Sequence, residues 1–147
     1  MAKLTVNEAA QGFTHKLAFD YVDLQTTGFL STIGAANQKA IDVLRPGAII
    51  DTMLLNQVVD PVGATDLTID VGTTGSDPDE LIDNGDVDGM TQAIWNTGDA
   101  LTSNTLNGYI NNTTSNVTVY MEFNGTHASL TAGSWVLCWR KMTPPTS

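Results

Sequence analysis

The chain has 147 residues, of which 41% are hydrophobic and only 15% are charged. This length predicts one domain with a buried core, and the composition argues against an intrinsically disordered chain. The net charge is −10, and no Lys or Arg occurs between Arg45 and Arg140. Because phosphate contacts need basic side chains, we expect no binding to nucleic acid. The acidity either keeps the protein soluble or attracts a basic partner surface.

No targeting or membrane segment is recognisable in the sequence. Residues 1–8 lack the apolar core of a signal peptide, and no apolar run approaches the length of a transmembrane helix. We therefore expect synthesis in a cytoplasm and no contact with a membrane. Cys138 is the single cysteine and lies in an apolar run, which predicts a buried thiol and no intramolecular disulfide.

The first third of the chain predicts an arm followed by short strands. Residues 1–16 are weakly patterned and are interpreted as an N-terminal arm. Alternating apolar residues predict a strand at 17–22, and short apolar runs between turn residues predict strands at 29–33 and 40–44. The apolar stretch 48–59 predicts a long strand with a bulge, because its β-branched residues and flanking prolines disfavour a helix.

The middle of the chain is more polar and rich in glycine. Residues 66–71 alternate and predict another strand, whereas residues 72–89 predict a long surface loop anchored by Leu81 and Ile82. Residues 91–95 predict either a helical turn or a strand. The polar segment 96–116 predicts either a contact loop or a solvated connection.

The last third has the clearest strand pattern. Residues 117–123 alternate, and the following Asn124-Gly125 is the pair favoured in a tight hairpin turn. We therefore expect residues 126–130 to return along the same strand, with Phe123 opposite Thr126. This register would bring the apolar faces of the two strands together.

The closing strand completes an all-β pattern. Residues 134–142 are apolar on both faces, which predicts a strand buried inside the fold. Seven to nine short strands at this spacing predict an antiparallel β-sandwich, of the jelly-roll type, over residues 17–142. A short C-terminal tail follows at 143–147.

The sequence offers few residues for catalysis. His15 and His127 are the two histidines, and no nucleophile elbow, phosphate-binding loop or zinc-ligand spacing is present. We therefore expect a protein that is not an enzyme, without catalytic residues or a cofactor.

One acidic stretch resembles the beginning of a calcium-binding loop. Its candidate ligands are Asp83, Asp86 and Asp88, because calcium prefers several oxygen ligands from one loop. Trp95 occupies the position where a closing bidentate Glu would be needed. The pattern therefore favours a solvated acidic loop over a metal site.

The aromatic residues fall into two groups. Trp135 and Trp139 share a strand face with Leu137, which predicts packing in the core. Trp95 and Tyr109 lie in polar surroundings and are candidates for a surface that contacts protein or sugar. The sequence defines no other partner-binding residue.

Two segments carry a resemblance to a known family. DLTIDVGTT at residues 66–74, followed by DPDELI at residues 77–82, resembles a segment of small head proteins of tailed phages. LTAG at residues 130–133, before the final strand, resembles the same group. The order of the predicted strands and loops is similar to that group over about residues 47–140.

This resemblance implies a capsid decoration (cement) protein with a jelly-roll fold, often a homotrimer, bound to the outer face of the major capsid protein in the virion. It carries no catalytic residues over. The arm of residues 1–16 could pair with the edge strand of a neighbour. The alternatives are a carbohydrate- or receptor-binding sandwich, as in a head fibre or adhesion domain, and a calcium-dependent adhesion module.

Overall fold

The computed structural model of the protein describes residues 12–30, 37–87, 92–95 and 109–145. These residues form nine β-strands and one short α-helix, and none of their helices is long and apolar enough to cross a membrane. The elements in chain order are β1 (His15–Asp20), α1 (Tyr21–Gln25), β2 (Gln38–Leu44), β3 (Ile49–Val62), β4 (Thr68–Gly72), β5 (Ile82–Asp86), β6 (Gln92–Trp95), β7 (Tyr109–Ile110), β8 (Val117–Asn124) and β9 (Ala132–Met142).

The strands pair into two antiparallel sheets. The first sheet has the order β1-β9-β3-β6, and the two-residue β7 also pairs with β3. The second sheet has the order β2-β8-β4-β5. The predicted all-β sandwich is therefore confirmed.

The order of pairing is that of a jelly roll. β1 pairs with β9, β2 with β8, β3 with β6 and β4 with β5, so that the pairs are nested like the two halves of one long hairpin. Additional pairing of β9 with β3, and of β8 with β4, joins these pairs into the two sheets. Folding such a hairpin over itself gives a double-sheet jelly roll.

The core lies between the two sheets and follows the alternation of side chains along the strands. In β8, Val119, Met121 and Phe123 are fully buried, and the residues between them are partly exposed. Because successive residues of a strand point to opposite faces, this pattern identifies the inner face. Trp135 and Trp139 of β9 are at most 1% exposed, which confirms their predicted role in the core.

An aromatic cluster ties the two sheets together. The ring of Phe19 stacks on Trp135 with centroids 5.6 Å apart and meets Phe123 edge-on at 6.0 Å. Two of these residues belong to the first sheet and Phe123 belongs to the second. Aromatic pairs of this geometry stabilise a fold by about 0.5–1.5 kcal/mol beyond their buried area.

The strands predicted at 40–44, 48–59, 66–71 and 134–142 are confirmed as β2, β3, β4 and β9, with shifted ends. β8 likewise confirms the alternating strand of the last third. The predicted irregularity of β3 is present, since its register against β9 shifts at three places. Residues 92–95 form a strand rather than a helical turn.

The hairpin predicted after β8 is wrong. The chain forms a 3-10 turn at His127–Ser129 and enters β9 of the other sheet, and Phe123 pairs with Ile69 of β4 rather than with Thr126. The backbone N–H and the hydroxyl of Thr126 donate to the Asp66 carboxylate at 3.1 and 2.7 Å. Contacts with the loop before β4 therefore override the local preference for a two-residue turn.

Two further strand predictions need correction. The strand predicted at 17–22 is β1, and its last two residues instead begin α1. Asp20 accepts from the backbone N–H of Asp23 at 2.9 Å, and the Asp23 carboxylate accepts from that of Asp20 at 3.0 Å. This reciprocal capping box starts the helix. In the strand predicted at 29–33, the first two residues form no strand and the others lie outside the described residues.

The loop predicted at 72–89 contains β5, which pairs with β4. The Glu80 carboxylate folds back over the intervening turn and accepts from the backbone N–H of Thr73 at 2.6 Å. Leu81 and Ile82, both 2% exposed, anchor the segment as predicted. The strand was missed because Ile82 is its only large apolar residue, so its sequence shows no alternation.

A polar clasp joins the two sheets where β2 faces β9. The Asp42 carboxylate on β2 accepts from Trp139 Nε1 at 2.9 Å and from Lys141 Nζ at 2.7 Å. Burial raises the pKa of Asp42, but its hydrogen bonds outweigh burial and leave the pKa below its ordinary value. His15 stacks on Trp139 with ring centroids 5.5 Å apart, and burial lowers its pKa.

The described chain begins on the outer face of the first sheet. Phe13 packs there with Leu54 and Cys138, and each is at most 8% exposed. The buried thiol predicted for Cys138 is confirmed. Residues 1–11 of the predicted arm lie outside the described residues, and the last two arm residues belong to β1.

Two other predicted segments are described only in part. Of residues 96–116, the structure describes β7 and the turn that follows it. Of the predicted tail 143–147, residues 143–145 are described and form no strand.

Candidate interaction surface

The last third of β3 departs from regular pairing. Its register against β9 shifts between Gln57 and Val59 and again between Val59 and Val62. In a regular strand, neighbouring residues point to opposite faces, so that either Val58 or Val59 would be buried. The bulged pairing removes this constraint. Val58, Val59 and Val62 are 60%, 49% and 54% exposed, and we refer to these three side chains as the valine ridge.

The end of the valine ridge is fixed by the turn before β9. The backbone N–H of Thr131 donates to the Val62 carbonyl at 2.8 Å, and the Ser129 hydroxyl donates to the Gly63 carbonyl at 2.5 Å. Gly63 has a φ of +106°, and a Cβ at this position would collide with the Ser129 carbonyl. Glycine is therefore required where the ridge ends.

A groove of about 300 Å³ lies beside Val58. Ala18 and Val136 contribute apolar surface to it, and Asp20 and Asp23 contribute carboxylates. The two carboxylates also form the capping box of α1, so their positions are fixed by the backbone. The groove therefore combines apolar surface with negative charge.

A second groove, of about 580 Å³, lies beside Val62 and is lined by residues 61–66 and Thr126. Asp66 is its acidic residue. The hydroxyl and the backbone N–H of Thr126 hold the pKa of the Asp66 carboxyl below its ordinary value. The carboxylate is therefore charged at neutral pH.

Acidic side chains border the valine ridge. Asp60 lies within it, is exposed and accepts from Gln57 Nε2 at 2.8 Å. Asp20, Asp23 and Asp66 add three carboxylates from the two grooves, and no Lys or Arg of the described chain lines either groove. The ridge is thus an apolar surface with a negative border.

A second exposed apolar cluster lies at the opposite end of β3. Ile49 pairs with Ile110 of β7 on one side and with Met142 of β9 on the other, so that the three form a row. Ile110 and Met142 are 50% and 46% exposed. Arg45, in the turn before β3, is exposed, and the Arg140 side chain is 43% exposed. We refer to these five residues as the basic patch.

The outer face of the second sheet is polar and acidic. Asp70 of β4 pairs with Glu122 of β8, whose carboxylate accepts from Gln38 Nε2 at 2.7 Å. Burial raises the pKa of the Asp70 carboxyl, and the charge of Glu122 adds to this rise. A hydrogen bond from the backbone N–H of Asn84, at 2.5 Å, acts in the opposite direction.

Two of the three calcium candidates lie on a strand rather than in a loop. Asp83 and Asp86 are exposed residues of β5, and Asp88 lies outside the described residues. Asp83 accepts from the side-chain amide of Asn84 at 2.9 Å. Within the described part of the chain, no group of three His, Cys, Asp or Glu side chains could hold a metal ion.

The aromatic contact candidates are positioned differently from one another. The Tyr109 ring packs against the core, and its hydroxyl accepts from Thr73 Oγ1 at 3.2 Å. Tyr109 is therefore engaged inside the protein. The backbone of Trp95 pairs with Met53 of β3, while its side chain is outside the described structure.

Sequence reasoning did not identify the valine ridge or the basic patch. A bulge was predicted in β3, but its position was not. The signal that could have located it is the run Val58-Val59-Asp60-Pro61, because a proline cannot donate a ladder hydrogen bond and marks irregular strand positions. The basic patch depends on pairing between distant strands, which the sequence does not show.

No family model matches the chain, and no curated protein matches it. Among solved structures, it is similar to a chain in the capsid asymmetric unit of cyanophage Pam1, with a TM-score of 0.51 and 21% identity over 88% of this chain and 81% of that chain. A chain in the acidic stable capsid structure of Helicobacter pylori bacteriophage KHP30 aligns with a TM-score of 0.35 and 13% identity over 88% of this chain and 90% of that chain. The first likeness shows a shared fold.

Proposed function

We propose that this protein is a structural component of a bacteriophage capsid. In the capsid it acts as a decoration, or cement, protein bound to the outer surface of the major capsid protein. The observation that carries the proposal is the fold shared with a chain of the Pam1 capsid asymmetric unit over 88% of this chain. The resemblance at residues 66–74 and 77–82 to small head proteins of tailed phages supports it from short sequence motifs.

A decoration role fits the size and the surface of the protein. A single sandwich can bridge neighbouring capsid subunits, and each copy needs only a modest contact because the symmetry of the capsid repeats it. The net charge of −10 favours attachment to a basic surface. The proposal includes the homotrimer that the resemblance implies and the absence of enzymatic activity.

The carbohydrate- or receptor-binding alternative rested on Trp95 and Tyr109. Tyr109 is engaged with Thr73 and the core, so it offers no free stacking platform. No other observation favours this alternative, and we do not develop it further.

Quantitative mass spectrometry of purified particles of the source virus tests the proposal. Labelled peptides of this chain and of the major capsid protein give their copy ratio. We expect the ratio of this chain to the major capsid protein to correspond to copies bound over the whole capsid lattice. A few copies per particle would indicate a fibre or vertex protein, and complete absence from particles would overturn the proposal.

The predicted arm gives a second test. Deleting residues 1–11 leaves Phe13 in its contact with Leu54 and keeps β1 complete. We expect the deletion variant to keep its melting temperature and to lose binding to capsids that lack the protein. Unchanged capsid binding would show that the arm makes no essential contact.

A further inference from the structure

We infer that the valine ridge of one copy of this protein binds the basic patch of a second copy. The two surfaces are different, so the contact is head-to-tail. The inference concerns self-association, and it can be measured without a capsid. It rests on the homotrimer of the proposed function, and its failure would leave attachment to the capsid untouched.

Both surfaces lie on the outer face of the first sheet. Val59 pairs with Ser134, whose neighbour Trp135 points into the core, and Ile49 precedes the fully buried Ile50. Alternation along the strands then directs Val59 and Ile49 outward. Ile49 and Val58 are nine positions apart on β3, which separates the two surfaces by about 30 Å at the usual rise per residue. The ridge of one molecule therefore cannot reach its own patch.

Each surface groups several exposed apolar side chains instead of presenting a single one. The ridge places three half-exposed valines within five positions, and its bulges keep both Val58 and Val59 in water. The patch places Ile110 and Met142 on either side of Ile49. Contiguous apolar surface with a polar border is typical of a protein-binding site. Docking the two surfaces would remove both from water.

The borders of the two surfaces are complementary in charge. Four carboxylates border the ridge, whereas the patch contains Arg45 and Arg140, of which Arg140 is paired with Asp51. At physiological ionic strength charges are screened over about 8 Å, so that local border charges act more strongly than the net charge of −10. If the ridges of two copies faced each other, the carboxylates on their borders would repel each other. A symmetric ridge-to-ridge contact is therefore disfavoured.

Both arginines can accept an additional acidic partner. Arg140 pairs with Asp51 through Nε at 2.7 Å and through its terminal nitrogen, yet part of its side chain stays exposed. Within the part of the chain that the structure describes, Arg45 Nη2 donates a long hydrogen bond to the Pro144 carbonyl at 3.5 Å. A guanidinium carries five N–H donors, so each retains donors for carboxylates of the ridge border.

A head-to-tail contact determines which assemblies are possible. Repeated contacts of this kind close into a ring when the rotation between neighbours allows it. The homotrimer in the proposed function would be such a ring.

Analytical ultracentrifugation of the full chain over a wide concentration range tests the inference. We expect a reversible oligomer, with Val59→Asp and Ile110→Asp each raising its dissociation constant at least about tenfold. The control is Ala40→Asp on β2 of the other sheet, because Ala40 is exposed and its strand neighbour there is Tyr120 of β8. The control should change the constant less than about twofold, as expected for a residue outside the contact.

Mixing the two variants tests the head-to-tail arrangement. Val59→Asp keeps an intact patch and Ile110→Asp keeps an intact ridge, so one contact can form between them. We expect the mixture to form a complex of two chains, whereas each variant alone stays monomeric. Thermal melting of each variant, within about 4 °C of the wild type, confirms that the fold is intact.

Three results would overturn the inference. The first is a wild-type protein that is monomeric at every concentration. The second is an oligomer that neither substitution weakens, and the third is a mixture that remains monomeric. If the wild type is monomeric but Val59→Asp abolishes binding to capsids that lack the protein, the ridge contacts the major capsid protein instead.

Discussion

The middle and the end of β3 are both apolar in sequence, yet the fold uses them in opposite ways. In the middle, Met53 and Leu55 pair in register with β9 and are fully buried. At the end, the register shifts and the valine ridge stays in water. Hydrophobicity alone therefore does not decide burial in this strand. The pairing register decides which side chains face the core.

Leu55→Ala should cause the largest loss of stability among the changes that probe this comparison. Leu55 is fully buried between the sheets, and its truncation leaves a cavity. Leu-to-Ala changes at such sites lower the free energy of unfolding by about 2–5 kcal/mol. Urea denaturation measures the loss. A loss under about 1 kcal/mol would contradict the assignment of this region to the core.

Asp42→Ala should have the next largest effect, about 2–4 kcal/mol, because it removes the carboxylate to which Lys141 and the buried Trp139 Nε1 both donate. Asp83→Ala, at an exposed position of β5, is the control and should change stability by at most about 0.5 kcal/mol. Equal effects of the two substitutions would show that the clasp contributes nothing.

The clasp also predicts a dependence on pH. The folded pKa of Asp42 lies below its ordinary value, so its contribution is present above the unfolded pKa of about 4. It is lost as the pH falls through the folded pKa. The stability difference between wild type and Asp42→Ala should therefore shrink as the pH falls below the unfolded pKa of about 4. Urea denaturation at several pH values measures this difference.

Gly63→Ala should destabilise the end of the valine ridge by about 1–3 kcal/mol, through strain at positive φ and a collision with the Ser129 carbonyl. Gly28→Ala separates the two causes. Gly28 has a φ of +92°, but nothing lies within 4 Å of its Cβ position. Thermal melting should show the smaller loss for Gly28→Ala; equal losses would mean that the collision is relieved at no cost.

Val58→Thr should have the smallest effect on stability, at most about 0.5 kcal/mol, because the side chain is 60% exposed and threonine keeps the β-branched shape. Urea denaturation under the conditions used for Leu55→Ala gives the comparison. A loss near that of Leu55→Ala would show that the ridge is packed rather than exposed.

Local patterns predicted much of the fold. Alternation in β4 and β8 and the apolar run of β9 identified strands that the structure confirms. The nested pairing could not be read from the sequence in detail, because it depends on contacts between residues far apart in the chain. β5 was not predicted for a related reason. Its residues show no strand pattern, and its extended conformation depends on pairing with β4.

The hairpin turn predicted at Asn124-Gly125 had the strongest local sequence signal, and it was wrong. Asn124-Gly125 favours a two-residue hairpin turn, but Thr126 bonds to Asp66 and the Ser129 hydroxyl bonds to Gly63. These contacts redirect the chain to the other sheet. The same turn contacts the end of the valine ridge. The wrong hairpin prediction and the failure to identify the ridge therefore have the same cause, which is contacts between residues far apart in the chain.

The pairing of the first strand with the last has a consequence for how the protein is made. Thr14 and Trp139 are hydrogen-bonded across 125 positions of the chain, and β9 lies between β1 and β3 in the first sheet. β9 is synthesised after all the other strands of the described fold, so the first sheet cannot close before β9 has left the ribosome. Until then, the edges of β1 and β3 that pair with β9 remain open to other nascent chains. Such non-local pairing is slow and exposes folding chains to aggregation, so rapid overproduction should favour misassembled protein.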